Sequence, residues 1–338
     1  MTDYFRPLVQ IGPARPDAAV PLAGGWGWFT HAEVLSRSAS SRVVPAANIP
    51  ASVLARLTAA RTEIASLSLD RPRIMGILNT TPDSFSDGGQ HAAVPDAVRA
   101  GQAMVTAGAD ILDIGGESTR PGADFVLVSE EITRTAPVIA ALRGAGLRTP
   151  ISIDTRKSAV AEAAVSAGAN LVNDVSGFTF DPALGPLCQT LGLPVCVMHA
   201  QGDPATMHLD PRYDNVLLDV YDALERQIAV LEASGIPRSA ILADPGIGFG
   251  KTQEHNLALL ARLSLFHALG TPILLGVSRK RFIGTIGNAP QAQDRAPGSI
   301  AVALAGLGQG VQMIRVHDVK DTRQAVALWH AAYFGSIL

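Results

Sequence analysis

The residues with the most evident chemistry in this chain stand at the ends of short apolar runs. Ile241-Leu-Ala-Asp244 is one such run, closed by a carboxylate and followed by Pro245-Gly-Ile-Gly-Phe-Gly-Lys251. Gly246, Gly248 and Gly250 allow a sharp turn and a close approach of the backbone to a ligand. Lys251 and an amphipathic run, Asn256 to Leu265, come next. Strand, glycine loop and helix, with opposite charges at the junction, form an arrangement suited to anions and polar rings. Gly250-Lys251-Thr252 matches the second half of a nucleotide P-loop, but that motif's first glycine would fall at Pro245. A proline there has a fixed φ and no N–H to give a phosphate, which argues against a P-loop.

The same design recurs along the chain. Eight short apolar runs stand out: Ile74 to Leu78, Ile111 to Ile114, Ile151 to Ile153, Leu171 to Val172, Val195 to Met198, Ile241 to Ala243, Ile273 to Val277 and Val311 to Val316. Helical stretches such as Asp96 to Ala107, Glu130 to Leu142, Ser158 to Ala167 and Val216 to Glu232 separate them. Nearly continuous apolar runs between amphipathic helices predict parallel strands buried on both faces. Eight βα units over residues 74–338 predict a (β/α)8 TIM barrel. An open doubly wound sheet fits less well, since no Gly-x-Gly-x-x-Gly follows the first run. Each run ends on polar residues: Asn79; Asp113 with Glu117; Asp154; Asn173 with Asp174; His199; Asp244; Ser278 with Lys280; and Arg315 with His317. A barrel brings such ends to one rim, where distant residues share a pocket. Two stretches on that rim, Thr80 to Val94 and Gly115 to Val128, exceed the usual loop length and are candidate lids. Arg315 and His317, in the usual phosphate corner, are expected to bind an anionic group.

Residues 1–73 read differently. Four prolines break the opening, and Thr30-His31-Ala32-Glu33 has capping-box spacing, which predicts a short helix to about Arg37. A second helix is expected over Ala51 to Arg61 and a strand over Ile64 to Leu69, in an N-terminal structural extension packing on the barrel. The net charge of −3 gives no general attraction to nucleic acid or membrane. Two cysteines without metal-ligand spacing support neither a disulfide framework nor structural zinc. Neither a leader-like start nor a membrane-length apolar run is present, so a soluble cytoplasmic protein is expected.

The segments Gly76-Ile-Leu-Asn-Thr-Thr-Pro-Asp-Ser-Phe-Ser-Asp-Gly-Gly89, Gly116-Glu-Ser-Thr-Arg-Pro-Gly122, Asp244-Pro-Gly-Ile-Gly-Phe-Gly-Lys251, Gly276-Val-Ser-Arg-Lys280 and Arg315-Val-His-Asp-Val319 together resemble the dihydropteroate synthases of folate biosynthesis. Thr80, where valine is commoner, departs from the pattern, and the resemblance is silent on most of the first seventy-odd residues. It implies condensation of 6-hydroxymethyl-7,8-dihydropterin pyrophosphate with p-aminobenzoate, giving dihydropteroate and pyrophosphate through a pterin cation. It places Asp154, Asn173, Asp244 and Lys280 on the pterin, a choice that pairs ring N–H donors with acceptors and an oxo group with a cation. It places Arg315 and His317 on the pyrophosphate, with Thr119 nearby and Asn79 acting through Mg²⁺. Phe85, Asp87, Thr119, Arg120, Pro121, Phe249 and Ser278 would form the aminobenzoate side and its lids. Asp154, Lys280, Arg315 and His317 would carry the catalysis. A homodimer is expected, although the sequence does not display one. Pterin-binding corrinoid methyltransferase domains and non-catalytic pterin carriers remain alternatives with the same fold; the former would lack the two long loops and the Arg-x-His corner.

Overall fold

The computed structural model describes residues 3–81, 89–118, 125–202, 207 and 209–337, with the backbone alone for residues 89–93. The chain opens with β1 (Tyr4–Pro7), β2 (Val20–Pro21), β3 (Trp28–Phe29), β4 (His31–Leu35), β5 (Arg42–Pro45) and the helix α1 (Ala51–Thr58). β1, β4 and β5 pair antiparallel in one small sheet, and β2 pairs with β3 in another. The helix expected after Thr30 is therefore a strand. Glu33 does not cap a helix; it faces β1, where its carboxylate meets Arg6 at 2.7 Å, while Ala32 and Val34 are buried. Pairing on both edges outweighs a local capping signal of only a few residues. The second expected helix forms, ending at Thr58. The strand expected over Ile64 to Leu69 is instead a tight reversal, with a single bridge between Ile64 and Leu67 and positive φ at Ala65 and Ser66.

All eight apolar runs form parallel strands: β6 (Arg73–Asn79), β7 (Ile111–Gly115), β8 (Ile151–Asp154), β9 (Leu171–Asp174), β10 (Val195–Met198), β11 (Ile241–Asp244), β12 (Leu274–Gly276) and β13 (Met313–Val316). They lie in the order β11-β10-β9-β8-β7-β6-β13-β12, and a parallel bridge from Ala243 to Ile273 joins the two ends. This is the predicted (β/α)8 barrel. The crossovers carry α2 (Gly89–Thr106), α3 (Val128–Gly144), α4 (Ser158–Ser166), α5 (Leu184–Thr190), α6 (Val216–Ala233), α7 (Gln253–Leu260), α8 (Arg281–Ile286), α9 (Ala296–Gly308) and α10 (Val319–Phe334). α2 begins at Gly89, so the first long loop is shorter than the expected Thr80 to Val94.

The alternation of strand side chains fixes what each strand end contributes. Met75, Ile111, Leu171, Cys196, Leu242, Leu274 and Met313 meet inside the barrel, where Ile64 and Leu69 of the reversal pack against them as a plug. Two residues further along the same strands are Ile77, Asp113, Asn173, Met198, Asp244, Gly276 and Arg315. The intervening residues, among them Ile114, Val172, Ala243 and Ile314, belong to the core between strands and helices.

The N-terminal sheets pack on segments that lead into β12 and β13. Leu22, Phe29 and Leu57 share a buried cluster with Ala268. The Trp26 indole N–H donates to the Leu307 carbonyl at 2.9 Å, and the Ser264 hydroxyl donates to the Pro7 carbonyl at 2.9 Å.

Candidate functional site

A cleft of about 1210 Å³ opens at the C-terminal ends of the barrel strands. Asn79, Glu117, Asp154, Asn173, Asp244, Phe249, Ser278, Lys280, Arg315 and His317 all line it, although they come from seven different strands and the loops after them. Phe85, Asp87, Thr119, Arg120 and Pro121 lie outside the described residues. Three expected rim residues do not line the cleft. Asp113 points inward but sits beneath the floor, fully buried. Asp174 and His199 fall on the opposite phase of their strands: Asp174 accepts from Ser176 N at 2.7 Å and Phe178 N at 2.7 Å, which folds the loop after β9. Period-two parity is the sequence signal that separates these two from the cleft residues.

Charges of both signs interlock on the floor. Arg315 donates from Nε to Asp113 at 2.5 Å and from Nη2 to Asp154 at 2.8 Å. Asn173 Nδ2 donates to the same Asp113 oxygen at 3.2 Å. Burial works against the Arg315 charge, but Asp113 and Asp154 outweigh it and push the guanidinium above its usual range. Burial raises Asp154 to about 7, opposed by Arg315 and reinforced by Asp113. Asp244 is raised by burial to about 6, with the Gly246 N–H, which donates to it at 2.7 Å, pulling the other way. Lys280 is lowered by burial to about 8 and rests 4.0 Å from the centre of the Phe249 ring. Gly276, with no side chain, leaves the space beside Asp244 clear: a Cβ there would lie 3.7 Å from the carboxylate.

The glycine loop is held from behind. Lys251 Nζ reaches the carbonyls of Gly246 at 2.9 Å and Phe249 at 3.0 Å, and His199 Nδ1 at 2.9 Å. Burial lowers His199 to about 3, so the ring is neutral and accepts at Nδ1. Gly246 and Gly250 take positive φ, and a Cβ on them would stand 1.8 Å from the His199 carbonyl oxygen and 2.3 Å from that of Gln201. Only glycine permits this approach. In the loop after β12, Arg279 is tied to Asp318 and has φ 59°. Arg295, which the motifs did not single out, donates to the Arg279 carbonyl at 3.0 Å. The Ser278 hydroxyl meets His317 Nδ1 at 2.9 Å. At the base of the second loop Glu117 is held by Arg156 at 3.0 Å and Lys157 at 3.2 Å.

Among the described residues, no group of three or more His, Cys, Asp or Glu side chains is placed to hold a metal ion. No described helix is long and apolar enough to cross a membrane. The arrangement offers three acceptors, Asp154, Asn173 and Asp244, and one cation, Lys280, to a flat polar ring. Arg315 and His317 stand beside them for an anion.

The family model of the pterin binding enzymes matches residues 75–317. A dihydropteroate synthase of Escherichia coli (strain K12) is 47% identical over 266 residues, covering 79% of this chain and 93% of that enzyme. The Xanthomonas albilineans dihydropteroate synthase solved with 4-aminobenzoic acid superposes with a TM-score of 0.76 at 45% identity, over 80% of this chain and 97% of that one. The Yersinia pestis dihydropteroate synthase in a sulfonamide drug complex gives a TM-score of 0.75 at 44% identity, over 80% of this chain and 98% of that one.

Proposed function

Because this chain belongs to the pterin-binding enzymes, and within them to the dihydropteroate synthases, we propose the following division of labour among its residues. The reaction joins 6-hydroxymethyl-7,8-dihydropterin pyrophosphate to p-aminobenzoate and releases pyrophosphate. The observation that carries the assignment is the convergence of Asp154, Asn173, Asp244 and Lys280 on one cleft beside Arg315 and His317. The acceptors take the ring N–H groups and Lys280 takes the oxo edge. Arg315 and His317 receive the pyrophosphate as it departs, and the Asp154 carboxylate faces the positive charge left on the exocyclic methylene. Phe249 and Ser278 border the aminobenzoate, with Phe85, Asp87, Thr119, Arg120 and Pro121 completing that side. We extend this to sulfonamides, such as the one in the Yersinia pestis complex, as occupants of the same subsite.

Magnesium fits as a partner of the substrate. Asn79 gives the cleft one neutral amide oxygen, a donor set that suits an ion bound mainly by phosphate and water oxygens. Bound there, the ion would neutralise pyrophosphate charge. A cytoplasmic location and a homodimer complete the proposal, the latter checked by sedimentation equilibrium. The deciding experiment gives purified protein both substrates with Mg²⁺. Pyrophosphate release that requires every component is expected, whereas a pterin carrier or corrinoid-type domain would bind the pterin and release none.

A further inference from the structure

Asp113 contributes no atom to the cleft, yet two cleft residues converge on one of its oxygens. We propose that Asp113 is a specificity-determining positioning residue, which locks the Asn173 amide with its carbonyl oxygen toward the pterin. The proposal rests on the assignment of Asn173 to the pterin ring.

Asp113 is fully buried inside the barrel, on β7, and Asn173 is almost fully buried on β9. Asp113 Oδ2 accepts from Arg315 Nε at 2.5 Å, so that oxygen serves as an acceptor. Whatever atom of Asn173 lies 3.2 Å from it must therefore be the NH₂ group. An amide has two ends, and fixing the NH₂ on Asp113 leaves Oδ1 as the end available to a ligand. Asn173 lines the cleft with Asp154 and Asp244, so a fixed Oδ1 makes a third acceptor and rejects a ring that presents an acceptor there. An unrestrained asparagine would present either end, since turning the amide exchanges donor and acceptor at little steric cost. Arg315 completes the lock, since it occupies the same Asp113 oxygen and bridges to Asp154 at 2.8 Å.

The test uses 6-hydroxymethylpterin, which lacks the pyrophosphate and so reports on the ring site without the anion contact of Arg315. Asp113→Leu removes the acceptor, and at least a tenfold loss of pterin affinity is expected. Asp113→Asn keeps an oxygen able to accept from both Arg315 and Asn173, and affinity within about threefold of the wild type is expected, a rescue that mere filling of volume does not give. Side-chain amide NMR of the wild-type protein supplies a measurement independent of variant folding. The Asn173 NH₂ protons should be slow to exchange, both free and with pterin bound. Unchanged pterin affinity in Asp113→Leu, or Asn173 protons that exchange freely in the wild type, would overturn the proposal. Asn173→Ala tests the underlying assignment separately. Normal pterin binding there removes Asn173 from the ring site, whereas weakened binding there with normal binding in Asp113→Leu overturns the role of Asp113 alone.

Discussion

Asp154 and Asp244 are both buried carboxylates on the cleft, but their neighbours give them different work. Asp154 sits against Arg315, on the side of the departing anion, while Asp244 is held by the Gly246 N–H and lies near Lys280. Asp154→Asn removes a charge with little change of shape. It is expected to lower kcat by roughly 10²–10³-fold, or about 3–4 kcal/mol, while pterin affinity changes little. Asp244→Asn should show the reverse bias, chiefly weakening the pterin. Single-turnover kinetics beside direct binding distinguishes the two, and near-normal chemistry in Asp154→Asn would remove it from the mechanism. The same groups set a pH window. Burial raises Asp154 to about 7 and Asp244 to about 6, so acid protonates these acceptors; it lowers Lys280 to about 8, so alkali discharges the cation. Loss of the Asp154 charge changes pterin affinity little, so Asp244 and Lys280 set the window: affinity for 6-hydroxymethylpterin should peak between about 6 and 8 and fall on either side. Calorimetric titration across that range is the check, and Lys280→Met should weaken binding, flatten the alkaline limb and move the acid limb upward, because Lys280 holds the Asp244 carboxyl down.

The segment from β11 to α7 is a strand end, a glycine turn and a capped helix that act together. Thr252 and His255 cap α7 reciprocally, and Gly248 N donates to Asn256 at 2.7 Å, which ties the turn to the helix. Lys251 braces the turn through the Gly246 and Phe249 carbonyls. Lys251→Met keeps the chain length but leaves those carbonyls unpaired, at about 1–3 kcal/mol for each one that stays buried. A lower melting temperature and weaker pterin binding are expected together, because the loop carries Phe249 and follows Asp244. An unchanged melting temperature would show that the clamp contributes nothing. The glycine turn and its flanking charges were readable in sequence. That Lys251 would face the loop's own carbonyls and His199, some fifty residues earlier, was not: both glycine–lysine chemistry toward a ligand and a clamp from behind satisfy the same spacing.

Across the whole molecule, the N-terminal sheets cover apolar surface on the segments feeding β12 and β13, and the reversal at Ile64 to Leu67 plugs the barrel floor. Removing residues 1–61 uncovers the partners of Trp26, Phe29 and Leu57, and each large side chain so lost forfeits about 1.5–3 kcal/mol of burial. The expected result is a lower melting temperature and poorer solubility, with turnover per folded molecule close to that of the full chain. Removing residues 1–69 also opens the floor and should cost more, as thermal denaturation of both truncations would reveal; a folded truncation with turnover reduced by orders of magnitude would contradict this. The barrel, its eight strands and the polar strand-end residues of the cleft followed from sequence alone, because short apolar runs alternating with amphipathic helices are properties of contiguous chain. Two-residue alternation along each strand sorts Asp154, Asn173 and Asp244 from Asp174 and His199. The strand at His31–Leu35 and the use of Asp113 depended on partners distant in sequence. Glu33 became a strand residue because Arg6 and both neighbouring strands met it, and Asp113 acquired its partners from β9 and β13, brought within hydrogen-bond distance only when the sheet curls into a barrel. Local pattern sets which face a side chain takes, and only the tertiary structure decides what it meets there.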